Sequence, residues 1–118
     1  MVTALMVPPA GQPSTVQLMD NRNFLNLAVS ADTDYRLTAT ALKIEDGIVA
    51  LHSDKGMLMM VPPNRQIGSK IIAGTFNVVS HHNGKLRSLT DAEIVKFTSR
   101  FWGAEFHTDE EVFDSLWP

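Results

Sequence analysis

The residue pair Asn64-Arg65, set directly after Pro62-Pro63, holds the clearest chemical potential in the chain. An arginine guanidinium is a planar fork of donors that suits phosphate or carboxylate. An asparagine amide both donates and accepts, enough to read a base edge or a ribose. Two prolines stiffen the approach, so the pair would be preorganised. Downstream, Lys70 adds a cation, and Gly74-Thr75 adds an open backbone amide and a hydroxyl. Together Asn64, Arg65, Lys70, Gly74 and Thr75 are expected to hold a small anionic, nucleotide-like ligand. The competing reading is structural. Asparagine after Pro-Pro is also a turn residue, and the arginine can bond loop carbonyls or a carboxylate of its own domain.

Other chemistries find little footing. There is no cysteine, hence no thiolate nucleophile and no disulfide framework. No Gly-x-Ser-x-Gly elbow and no glycine-rich phosphate loop occurs. His81 and His82 are adjacent, so on a strand they point to opposite faces, and His52 and His107 lie far away in sequence. No metal site, cofactor or catalytic residue is expected, and the chain reads as a non-enzyme; a small nucleotide-signal hydrolase is the remaining catalytic alternative. Aromatic residues concentrate near the end as Phe101, Trp102, Phe106, Phe113 and Trp117. Packing of short helices explains most of them. Trp102, Phe113 and Trp117 are the expected partner contacts, because aromatics anchor interfaces.

With 118 residues, 44% hydrophobic and 19% charged, the chain fits one globular domain. That domain is expected over 1–101, with 102–118 an acidic, aromatic C-terminal helix packed on it. The net charge of −3 argues against a general nucleic-acid binder. Charge is uneven: Glu105, Asp109, Glu110, Glu111 and Asp114 meet no Lys or Arg over 105–118. No apolar run approaches the ~20 residues that span a bilayer, and no signal-peptide pattern opens the chain. A reducing cytoplasm and no membrane association are expected.

The elements that must position these residues follow from periodicity. Val2–Val7, stopped by Pro8-Pro9, and Thr15–Met19 read as strands. Asp20 caps a short helix with Phe24, Leu25, Leu27 and Ala28 on one stripe. Tyr35–Ile44, Ile48–His52 and Met57–Val61 read as a three-stranded meander with an Asp46-Gly47 hairpin turn. Met57, Met59 and Met60 make its last strand methionine-rich. Pro62–Ser69 reads as a loop, Ile71–Ser80 as a long strand interrupted by Gly74, and His81–Leu89 as a turn region. Thr90-Asp91-Ala92-Glu93 and Thr108-Asp109-Glu110-Glu111 are capping boxes opening two late helices. The fold class is therefore α+β: a small, mainly antiparallel sheet with one early helix and two short C-terminal helices. Met-Val-Pro-Pro occurs at Met6–Pro9 and Met60–Pro63, but the flanks differ, so there is no repeat.

Three of these stretches resemble an uncharacterised domain-of-unknown-function family of phages and mobile elements. They are Pro62, Asn64 and Arg65; then Ile72, Gly74 and Phe76; then Ser88, Leu89 and Thr90. The strand Leu5–Pro9 fits as well. The resemblance covers about 4–101 and leaves the tail Trp102–Pro118 outside. It implies a small accessory protein in the cytoplasm of an infected bacterium that acts by binding, with counter-defence the expected role. Two mechanisms follow: sequestration of an anionic nucleotide signal at Arg65, or binding of a host protein through the C-terminal helices. A homo-oligomer joined at sheet edges is compatible with either.

Overall fold

The structure, a computed structural model, describes residues 1–54 and 61–115. It is α+β, and its order is β1 (Val2–Val7), β2 (Ser14–Leu18), α1 (Arg22–Ala28), β3 (Ala39–Glu45), β4 (Ile48–Ser53), β5 (Pro63–Ile67), β6 (Lys70–Ala73), β7 (Phe76–His82), β8 (Lys85–Arg87), α2 (Asp91–Arg100) and α3 (Asp109–Asp114). The main sheet runs β2-β1-β7-β4-β3, with β8 hydrogen-bonded to β7, and every pairing is antiparallel. β5 and β6 form a separate two-stranded sheet.

Strand alternation explains the layers. Leu5, Ala50 and Val78 face one way, into a core with Phe76, Phe97 and Phe101. Their neighbours Ala4, Leu51 and Val79 face the other way, into a second core with Val29 and Leu37. Helix α2 and strand β6 cover the first face; α1 and the segment after it cover the second. Both late helices carry complete capping boxes, Thr90 with Glu93 and Thr108 with Glu111. At the β7–β8 turn, Asn83 and Gly84 have φ of 50° and 77°, the conformation a two-residue hairpin requires.

Five local expectations are corrected. The turn region expected over His81–Leu89 contains the end of β7 and strand β8, paired across the Asn83-Gly84 turn. Asn21, not Asp20, caps α1 by accepting from the Phe24 amide at 3.2 Å, while the Asp20 carboxylate accepts from the Leu86 amide. The strand expected from Tyr35 begins only at Ala39. Side chains of the α1 segment take the amides a ladder would use: Leu37 donates to Ser30 Oγ at 2.7 Å and Ala39 to Asn26 Oδ1 at 2.9 Å. The loop expected over Pro62–Ser69 contains strand β5. The long strand expected over Ile71–Ser80 is two strands in two sheets, divided at Gly74. The expected third meander strand falls mainly on 55–60, outside the described residues, as does the tail helix's last part, with Trp117.

Candidate functional site

Asn64 and Arg65 are both fully buried. Strand β5 turns them inward, toward the end of β1 and the end of α2. Arg65 Nη1 donates to the Pro8 carbonyl at 2.7 Å and the Pro9 carbonyl at 3.1 Å. Its Nη2 donates to the Gly11 carbonyl at 2.8 Å and the Phe101 carbonyl at 2.7 Å. Asn64 completes the arrangement. Its Nδ2 donates to the Val7 and Gly74 carbonyls, and its Oδ1 accepts from Arg65 Nη1 at 3.0 Å. The guanidinium is thus held in a cage of backbone carbonyls, with no carboxylate among the described residues bonded to it. Burial lowers its pKa, and the Glu105 carboxylate opposes that shift.

This corrects the expectation of an anion clamp at Asn64-Arg65. Both terminal nitrogens of the guanidinium are taken by the protein's own chain, and the side chain is closed to solvent. Of the other residues expected at that site, Gly74 meets Asn64 through its backbone alone, and Thr75 and Lys70 are engaged elsewhere. Gly74 gives its carbonyl to Asn64 and its amide to the Pro62 carbonyl. Thr75 is buried, and the Asp32 carboxylate takes its amide at 2.5 Å and its hydroxyl at 3.1 Å. Lys70 pairs with Ile67 beside the β5–β6 turn, at the far end of the hairpin from Gly74.

Gly74 is required by conformation and by space. Its φ is +83°, and a Cβ there would stand 3.2 Å from both Asp32 Oδ2 and Val61 Cγ2. Gly74→Ala is expected to cost roughly 2 kcal/mol, since a left-handed backbone alone costs about 1–2 kcal/mol for an L-residue. The measurement is urea unfolding, where the midpoint should fall with an unchanged slope.

The open surface lies instead along the segment after α2. Trp102 is 51% exposed, Phe106 95% and Phe113 48%. Val112, by contrast, is buried and anchors α3 against β6. Two side chains of this segment cap the outer edges of the β5–β6 hairpin. The Gln66 amide donates to Glu105 Oε1 at 3.1 Å, and the Ile71 amide donates to Ser115 Oγ at 3.1 Å. Gln66 and Ile71 form the non-hydrogen-bonded pair next to the turn pair Ile67–Lys70, so both of their amides face outward, and each receives a side-chain acceptor in place of a further strand. His107 sits between two carboxylates, with Nε2 2.9 Å from Glu105 Oε1 and Nδ1 3.6 Å from Glu111 Oε2. The Thr108 backbone amide bonds Glu111 and lowers its carboxyl pKa.

Two grooves flank this segment. One, of about 370 Å³, is walled by Pro9, Pro62, Pro63 and Phe106, with Glu105 and His107 at its side. The other, of about 380 Å³, is walled by Val61, Pro63, Val112 and Phe113, with Asp109 and Glu110 at its side. Comparisons with protein-family models, curated proteins and solved structures return no match. Among the described residues, no group of three or more His, Asp or Glu side chains is placed to hold a metal ion. None of the described helices is long and apolar enough to cross a membrane.

Of the expected partner contacts, Trp102 and Phe113 are on this open surface. Phe106, Glu105 and Pro63 belong to it as well. Phe106 carries a visible signal in its position between two helices with no periodic partner. Glu105 and Pro63 carry none, because their place depends on how the hairpin and the tail meet.

Proposed function

We propose that this protein acts by binding another protein through its C-terminal segment, not by catalysis. The observation that supports this is the exposure of three aromatic side chains within the short stretch 102–113, two of which, Phe106 and Phe113, each line an apolar groove. Single exposed apolar residues are ordinary, but an apolar cluster with a polar rim is the usual form of an interaction site. Following the sequence resemblance, the partner is a host bacterial protein, and interference with a host defence is the consequence. The same setting leaves the nucleotide-sequestering mechanism weaker, because Arg65 has no terminal nitrogen to offer a phosphate.

The test compares wild type with Trp102→Ser/Phe106→Ser as immobilised bait in bacterial extracts. Both rings are exposed, so the melting temperature should stay within about 2 °C of wild type. The expected result is at least one bacterial protein retained by wild type and lost by the variant. Retention of the same proteins by both baits removes the segment from the function. A melting temperature raised by a nucleotide, in wild type and variant alike, would return sequestration to first place.

A further inference from the structure

We propose that the two grooves on either side of Pro63 together receive one extended peptide segment that is basic and carries apolar side chains. This rests on the protein-binding reading above and specifies the partner's chemistry. Pro63 lines both grooves, so they adjoin and one extended chain crossing it can fill both. Each groove is at the lower end of the ~300–1,000 Å³ range of ligand pockets, suited to a side chain or two, not a folded module. Prolines 62 and 63 present no N–H to the occupant, and the nearby outward amides of Gln66 and Ile71 are already capped. Strand addition is therefore not the mode; side chains entering apolar grooves are.

Charge decides the partner's sign. Glu105 borders the first groove, and Asp109 and Glu110 border the second. Glu111 and Asp114 add to the same field, and no Lys or Arg occurs over 105–118. A segment with Lys or Arg between apolar residues matches this surface, whereas an acidic segment or a nucleic acid would be repelled. Among the described residues, Asp109 and Glu110 serve the fold only as acidic residues in the first turn of α3, so their charge can be removed without dismantling it.

The experiment selects binders from a random dodecapeptide library displayed on phage, using the full chain, and then measures the enriched peptides as synthetic probes. Expected are peptides with net positive charge and at least two apolar side chains. Their affinity should fall at least tenfold on Phe106→Ser, fall at least fivefold on Asp109→Asn/Glu110→Gln, and weaken with salt. Neutral or acidic peptides that still depend on Phe106 would overturn the charge assignment while leaving the protein-binding reading intact. Enrichment of no peptide that depends on Phe106 would overturn the groove proposal. Concentration-dependent self-association abolished by Phe106→Ser would overturn it in favour of a second copy of this chain.

Discussion

Arg65→Ala is expected to lower the unfolding free energy by about 4 kcal/mol, a large fraction of the roughly 5–15 kcal/mol that holds a domain folded. The guanidinium satisfies four carbonyls from two separate parts of the chain, Pro8, Pro9 and Gly11 after β1 and Phe101 at the end of α2, and so ties both to β5. Each buried carbonyl left without a donor costs about 1–3 kcal/mol, and water entering the vacated space recovers part of the total. Arg65→Lys should lose about half as much. An ammonium is a point donor and cannot span carbonyls arranged for a planar fork. Urea unfolding of the three proteins gives the order wild type, Lys, Ala.

A second observable separates fastening from mere core volume. The Ala variant keeps the carbonyl cage and lacks only its occupant. Guanidinium at low millimolar concentration should therefore raise the melting temperature of Arg65→Ala by mass action and leave the wild type unchanged. Sodium at the same ionic strength should do neither. An Arg65→Ala protein as stable as wild type would show that the carbonyls find other partners, and the fastening role would then fail.

The same residue shows what a sequence can and cannot disclose. The longer main-sheet strands were legible because alternate residues such as Ala4 and Leu5, or Val78 and Val79, enter different cores, whereas the three-residue β8 is too short to show an alternation. Both late helices were legible from their capping boxes, which are contained within four residues. Strand β5 was hidden. It opens at Pro63, and its next two residues are the polar Asn64 and Arg65, which composition assigns to the surface. Their partners are main-chain carbonyls, and those of Pro8 and Phe101 lie 57 and 36 residues away. A carbonyl carries no side-chain identity, so no residue type elsewhere advertises the contact. Gly74 was legible as a special position but not as a change of sheet. That depends on where β6 and β7 find their neighbours, β5 for one and β1 with β4 for the other.

The other large effect is expected at Phe101, where the core and the carbonyl cage meet. Its ring is buried, 5.3 Å from the Phe76 ring at 83° and 6.4 Å from the Phe97 ring at 18°. Its carbonyl accepts from Arg65 Nη2 at 2.7 Å, and its amide closes the last turn of α2 on the Phe97 carbonyl. Phe101→Ala should cost about 4 kcal/mol, the middle of the range for a buried phenylalanine. The carbonyl itself survives the substitution, but the ring that fixes its position does not. Phe101 and Arg65 should therefore be coupled, and gentler substitutions keep the double variant folded. In the cycle of Phe101→Leu with Arg65→Lys, the double variant should lose about 1 kcal/mol less than the sum of the singles, since each change already loosens the bond the other removes. Additivity within about 0.3 kcal/mol would mean that the end of α2 is held by its ring alone, and that the Arg65 bond to Phe101 follows the core without helping to fix it.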